Sequence, residues 1–215
     1  MKTPSIPPFG QHVPVAAVPY CLELWRQNSF LFKITRPRRT RLGTHCFHPV
    51  SGHRVTVNIN LNPAAFLITY LHEVAHVLTV RDARTKATLT PRSAPRQRIL
   101  PHGRQWKAHF NRLLQPVLTE SVFPPSVLEP LRNYAQNPAA TTTSCLPLAQ
   151  ALQTLDEWPA HLNLTEVRLL AEGDRFEFGK KIFVRGSLRR TRLLCVDVLT
   201  GRRYTVPGHA LVKRI

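Results

Sequence analysis

The residues best suited to chemistry are two histidines and a glutamate in the run His72-Glu73-Val74-Ala75-His76. On a helix, residues four apart lie on one face, so both imidazoles can reach a single ion. Glu73 stands beside the first histidine, where its carboxylate can take a proton from an activated water. This HExxH spacing therefore predicts a zinc site with Glu73 as the general base.

Zinc in a catalytic site takes three protein ligands and keeps a fourth position open, so a third ligand has to be found. Asp82 occupies the third-ligand place of an HExxHxxGxxH/D pattern, but Thr79 stands where that pattern has its turning glycine. The pattern also has a downstream methionine turn, and the single methionine of this chain is Met1. A glutamate on a following helix is another solution, and none occurs between Glu73 and Glu120. Both alternatives are disfavoured.

His102 is the better candidate for the third ligand. It directly precedes Gly103, at the start of the next predicted helix, where the missing side chain permits close approach of the backbone. A ligand at this point can swing back over the first helix. We therefore predict that His72, His76 and His102 bind zinc, and that His109 packs beside the aromatic residues of its own helix.

A rival group of ligands consists of His45, Cys46, His48 and His53. Along a strand, His45 faces away from Cys46 and His48, so these side chains do not converge simply. We expect them to form the surface of a hairpin instead.

The helix that carries the HExxH run is predicted from its start signal and its composition. Asn62 can cap a helix and Pro63 suits the first helical position. Residues 64–80 are apolar nearly all round, which indicates a buried central helix. Residues 81–101 have no periodicity and predict a loop.

The elements around this helix are read from shorter patterns. Residues 1–19 are rich in proline and predict an irregular arm, followed by a short helix from Pro19. Residues 30–60 alternate apolar and polar positions in three runs, which predicts a small three-stranded meander. A further helix is predicted between Gly103 and Pro116.

The second half of the chain contains two segments of different composition. Residues 119–163 contain six prolines and predict a linker with one or two short helices. From residue 164, short alternating runs with turns at 179–180, 186–187 and 200–201 predict a small five-stranded barrel of the SH3 or OB type. The predicted fold class is α+β, with a domain at 1–118, a linker at 119–163 and a basic β-module at 164–215.

Composition narrows the class of protein. The 215 residues are 43% apolar and 20% charged, which is typical of a globular protein. No apolar stretch approaches the roughly 20 residues of a membrane span. The four cysteines contain no CxxC pair, which excludes a zinc ribbon and favours a reducing compartment. Prolines interrupt the N-terminal apolar residues, so we expect a cytoplasmic protein without a signal peptide.

Charge points to nucleic acid as a partner. The chain carries 30 Lys and Arg against 12 Asp and Glu, a net charge of +18 at pH 7. Residues 161–215 alone hold 12 basic and 5 acidic side chains. Such surfaces attract phosphate backbones, and we therefore expect DNA binding and possible association with the nucleoid. The candidate phosphate contacts are Arg36, Arg38, Arg39, Arg41, Lys180, Lys181, Arg189, Arg190 and Arg192.

Two stretches carry a resemblance to a known family. YLHEVAHVLTVR at residues 70–81, followed by PHGRQWKAHFN at 101–111, resembles the SprT-like zinc metallopeptidases. That family has HExxH on a long helix, then a His-Gly pair opening the next helix and an aromatic residue after it. The upstream run at 41–63 is similar to the small sheet before the family's active-site helix. The resemblance covers about residues 15–118.

The resemblance implies a zincin-like fold, with a small antiparallel sheet and an HExxH helix, and zinc endopeptidase activity. It implies His72, His76 and His102 as zinc ligands and Glu73 as the general base. Eukaryotic relatives called Spartan cleave proteins crosslinked to DNA. The resemblance therefore implies a role in the repair of DNA–protein crosslinks, with single-stranded or crosslinked DNA as a partner. Many members end in a four-cysteine zinc ribbon, whereas this chain has a basic β-module.

Two other functions remain open from the sequence. One is a non-enzymatic nucleic-acid-binding protein with a structural zinc site. The intact Glu73 argues against it, because a structural site needs no base and usually fills its fourth position with a protein ligand. The other is a different zinc hydrolase, such as an RNA nuclease, which HExxH favours less because this motif is typical of metalloproteases.

Overall fold

The computed structural model describes residues 7–38, 41–89, 100–156 and 164–215. The chain divides into two compact units, Met1–Asp156 and Glu157–Ile215. The helices are α1 (Val18–Asn28), α2 (Pro63–Leu89), α3 (Arg104–Leu114), α4 (Pro125–Gln136) and α5 (Leu146–Gln153). The strands of the first unit are β1 (Leu31–Thr35), β2 (Gly43–His48) and β3 (Gly52–Asn58). Those of the second unit are β4 (Leu164–Glu166), β5 (Arg175–Phe178), β6 (Lys181–Arg189), β7 (Arg192–Asp197), β8 (Arg203–Pro207) and β9 (Leu211–Arg214). The predicted α+β class is confirmed.

Helix α2 is the centre of the first unit. Asn62 caps it, because its Oδ1 accepts a hydrogen bond from the Ala65 N–H at 2.9 Å. The apolar residues of its first four turns are buried in the core, as their all-round distribution predicts. The helix continues to Leu89, so residues 81–89 are helical and the loop predicted there is wrong. Those nine residues contain no glycine or proline that would end a helix, and residues 90–99 lie outside the described part of the chain.

The length and composition of α2 would also allow it to cross a membrane, so the expectation that no apolar stretch approaches a membrane span is wrong. However, 78% of its most apolar window is buried inside the protein. A core helix of a soluble protein has this property, so the structure is consistent with the soluble protein that the sequence predicts.

The small sheet of the first unit is mixed. Its strand order is β1-β3-β2, with β1 parallel to β3 and β2 antiparallel to β3. The predicted antiparallel meander is therefore wrong, because β1 pairs with the third strand and not with the second. β1 and β2 lie on opposite sides of β3, and the short turn between β2 and β3 allows a direct hairpin. Strand β2 is left at the edge of this sheet, against α2.

Residues 119–156 belong to the first unit, although the sequence analysis assigned them to a linker. Pro125 and Pro147 lie in the first turns of α4 and α5, where proline starts a helix and does not break it. Apolar residues of both helices, including Leu131 and Leu148, are buried in the same core as α2. The remainder of the predicted linker, residues 157–163, lies outside the described residues.

The second unit is a six-stranded antiparallel sheet with the order β4-β9-β5-β6-β7-β8. It does not close into the predicted five-stranded barrel, because β4 and β8 are both edge strands. The turn predicted at 186–187 lies inside β6, where the pairing register shifts between Arg185 and Leu188. The chain turns instead at Arg190, whose φ is 55°. Phe176, Phe183 and Leu193 lie in a separate core.

Candidate metal centre

Three histidines converge at one point of the first unit. His72 and His76 project from successive turns of α2, and His102 approaches from the residue pair before α3. Their Nε2 atoms are 3.2 Å apart for His72 and His76, 3.1 Å for His76 and His102, and 3.2 Å for His72 and His102. Nitrogens bound to one tetrahedral ion at 2.0–2.1 Å stand about 3.3 Å from each other. The group is therefore close enough to bind one metal ion.

The approach of His102 depends on the residue after it. Gly103 is the N-cap of α3 and has φ −75° and ψ −175°. A Cβ at Gly103 would lie 3.0 Å from the Leu100 Cβ and 3.3 Å from its carbonyl oxygen. Glycine is thus used here for close approach of the chain to itself, as the sequence predicts.

Trp106, one turn into α3, forms a wall behind all three histidines. It is fully buried. Its ring centroid lies 4.6 Å from the ring of His72, 5.5 Å from that of His76 and 4.7 Å from that of His102. Its Nε1 donates a hydrogen bond to the His72 carbonyl oxygen at 3.3 Å. The sequence predicts Trp106 only as the aromatic residue after the His-Gly pair, and its spacing of four from His102 could have indicated this contact.

The environment keeps the imidazoles neutral. Burial, followed by the proximity of the other two rings, lowers the pKa of His72 to about 3. Burial, the neighbouring His102 and His45 lower the pKa of His76 to about 3. Burial also lowers the pKa of His102. Neutral imidazole is the form that binds a metal ion.

Glu73 is the one buried acid of α2, with 6% of its surface exposed. Burial raises the pKa of its carboxyl group to about 8. The positive charge of Arg38 and a hydrogen bond from the His45 backbone N–H act in the opposite direction. A carboxyl group of this kind can change its protonation state near neutral pH.

Asp82 and His109 form a hydrogen bond with each other. The His109 Nε2 and the Asp82 Oδ2 are 2.8 Å apart, which links α2 to α3. Asp82 is not part of the histidine group, in line with its poor fit to a third-ligand pattern. Arg112 completes the set, with its Nη2 3.0 Å from the His109 Nδ1.

The rival group on the hairpin does not converge. His45 Nε2 and His53 Nδ1 are 2.8 Å apart on the side of the sheet that faces α2. Cys46 is exposed, and His48 Nδ1 accepts hydrogen bonds from the turn that follows β2. Among the described residues, His72, His76 and His102 are the only group with the spacing of a metal site.

The predicted phosphate contacts fall into different environments. Arg38 is held by Asn58, Thr44 and Thr56, which accept hydrogen bonds from its guanidinium at 2.9, 3.3 and 3.1 Å. Lys181 is paired with Asp197 at 2.6 Å. Residues of the predicted set that are exposed are Arg36, Arg41, Lys180, Arg189, Arg190 and Arg192, and Arg39 lies outside the described residues.

No protein-family model, curated protein or solved structure matches this chain. The arrangement itself offers two neutral imidazoles and one buried carboxyl group from α2, with a third neutral imidazole from the segment before α3. Such a set can hold a divalent ion and move a proton beside it.

Proposed function

We propose that this chain is a zinc-dependent endopeptidase of the SprT-like type that acts on proteins associated with DNA. The observation that carries the proposal is the convergence of His72, His76 and His102 beside the buried carboxyl group of Glu73. Three neutral imidazoles suit zinc, and three protein ligands leave a position open for reaction. The resemblance of residues 15–118 to SprT-like peptidases supports an amide substrate.

In this proposal Glu73 is the general base and later the general acid. Bound zinc supplies a Lewis acid that polarises the scissile carbonyl and lowers the pKa of a water molecule. Glu73 accepts the proton of the attacking water and delivers it to the departing amine. Trp106 orients the ligands and shields them from solvent on one side.

The position of β2 favours a peptide as substrate over a nucleotide. Among the described strands, β2 pairs only with β3, so no strand covers its other edge, although the His45 N–H of this strand donates to Glu73. The ring of His45 in this strand is nearly parallel to that of His76, with the centroids 6.2 Å apart. An extended peptide can add to such an edge by backbone hydrogen bonds and so lie beside the metal centre.

DNA as a partner is supported by the second unit. Its acidic residues are outnumbered by basic ones, and exposed cations cluster near its turns, with Lys180 after β5, Arg189 at the end of β6 and Arg190 after it. Phe178 is 41% exposed, and its ring can stack on an unpaired base, whereas the ring of Tyr204 is contacted by Lys181 and Phe183. In this proposal the protein is cytoplasmic and associates with the nucleoid through these contacts.

The test is cleavage of casein and of histones, with and without single-stranded DNA, by zinc-loaded wild type and Glu73→Gln. Glutamine keeps the shape of the side chain but cannot act as a base, so cleavage should fall by about 10²–10⁴-fold at unchanged zinc content. Equal cleavage by both proteins would refute the role of Glu73 and the peptidase proposal with it. DNA binding without any cleavage would favour the alternative, a nucleic-acid-binding protein with a structural zinc site.

A further inference from the structure

Gly43, the first residue of β2, lies directly against the side chain of Glu73. A Cβ placed on Gly43 would be 2.7 Å from the Glu73 Oε1 and 2.9 Å from its Cγ. Both distances are far inside the roughly 3.5–4.0 Å of van der Waals contact. The φ of Gly43 is not in the left-handed region, so its backbone could be adopted by other residues. The space taken by Glu73 and by the neighbouring Thr69 side chain requires a glycine here.

Strand β2 contacts the Glu73 carboxyl group at a second residue, His45. The backbone N–H of His45 donates a hydrogen bond to the Glu73 carboxylate. Residues two apart in a strand point to the same side, so Gly43 and His45 both face α2. Their register partners in β3, Val57 and Val55, are fully buried. These contacts fix the strand. Gly43 leaves room for the Glu73 side chain, and the backbone N–H of His45, two residues later, donates to its carboxylate.

We propose that Gly43 is a positioning residue, which leaves the space that holds the Glu73 carboxylate in register with the three histidines. The inference rests on the proposed function, in which Glu73 moves the proton. Proton transfer needs the carboxylate within hydrogen-bond reach of the water, and an error of about 1 Å can reduce a rate 100-fold. A side chain at position 43 displaces the base without touching any metal ligand.

The first experiment is Gly43→Ala in the zinc-loaded full chain. The methyl group must push the Glu73 carboxylate aside by about 1 Å, the difference between 2.7 Å and ordinary contact. We expect kcat to fall about 100-fold, with KM and zinc content unchanged. Gly10→Ala is the matched control, because an added Cβ at Gly10 has nothing within 4 Å. A kcat for Gly43→Ala equal to that of the control would overturn the inference.

A second variant separates Glu73 from its neighbour. The Cβ at position 43 would also lie 2.7 Å from the Thr69 Cγ2. Thr69→Ser removes this methyl group and keeps the hydroxyl, which donates to the Ala65 carbonyl oxygen at 2.7 Å. We expect Gly43→Ala with Thr69→Ser to keep the low kcat. Recovery of kcat in this double variant would assign the effect to packing at Thr69 and overturn the inference.

The contact is also testable without any peptidase assay. In the Thr69→Ser background, Gly43→Ala should lower the melting temperature when Glu73 is present. It should not do so in the Glu73→Ala background, because that change removes both the Cγ and the Oε1. An equal shift in both backgrounds would show that Glu73 is not what requires the glycine. If the wild type cleaves no peptide, the proposed function fails, and the melting comparison still decides the contact.

Discussion

Trp106→Phe tests whether the indole packed against the three histidines affects the affinity of the site for zinc. The indole is fully buried, touches the rings of all three histidines and donates to the His72 carbonyl oxygen at 3.3 Å. Phenylalanine keeps an aromatic ring in the same place but removes the N–H donor and one fused ring. The change therefore affects the surroundings of the ligands and leaves the ligands themselves intact.

The expected size of the effect follows from these interactions. Loss of the hydrogen bond costs about 1 kcal/mol, and the space left by the smaller ring costs about 1–2 kcal/mol, so the free energy of unfolding should fall by about 2–3 kcal/mol. Neighbours that orient metal ligands are worth about 10–100-fold in metal affinity. We expect the dissociation constant for zinc to rise by that factor.

The assay is competition with a chromophoric chelator for the dissociation constant of zinc, and urea unfolding for stability. Trp25→Phe is the matched control, because the Trp25 Nε1 donates to the Phe30 carbonyl oxygen at 3.0 Å. The control should lose stability and keep its affinity for zinc. Wild-type zinc affinity in Trp106→Phe, combined with a loss of stability, would refute the idea that this wall orients the ligands.

His102→Ala should lose zinc, because two imidazoles hold the ion poorly, whereas Asp82→Ala should keep it; metal analysis after gel filtration measures both. Arg38→Ala should lower the free energy of unfolding by about 1–3 kcal/mol, because its partly buried hydrogen-bond acceptors lose their donor. Arg41→Ala, at an exposed position, should change the free energy of unfolding by less than about 0.5 kcal/mol in the same urea experiment. Deletion of residues 164–215 should weaken DNA binding and reduce the slope of log affinity against log salt by about 0.7–0.9 for each phosphate that these residues neutralise. An unchanged slope would locate DNA binding in the first unit.

Local patterns predicted the elements of the site well. The Asn62 cap predicted the start of α2, and Gly103 and Pro116 predicted the bounds of α3, because these signals depend on neighbouring residues, whereas the end of α2 at Leu89 was missed. The histidine spacing placed two donors on one face of α2. These features require no knowledge of distant residues.

Interactions between distant residues could not be read in the same way. Alternation predicts a strand but not its neighbour, so the pairing of β1 with β3 was missed. Arg38 looked like a surface cation in an arginine-rich run, yet it is bonded to residues of β2 and β3. The prolines of α4 and α5 indicated a linker, although Pro125 and Pro147 lie in first helical turns and α4 also contains Pro130 in its interior.

The central claim is a three-histidine metal centre with an open position, and diffraction at the zinc absorption edge from crystals of the zinc-loaded protein tests it most directly. The account predicts one anomalous peak per chain, about 2.0–2.1 Å from the Nε2 atoms of His72, His76 and His102, with water at the fourth position. A peak elsewhere, or a fourth protein ligand that closes the site, would contradict the account.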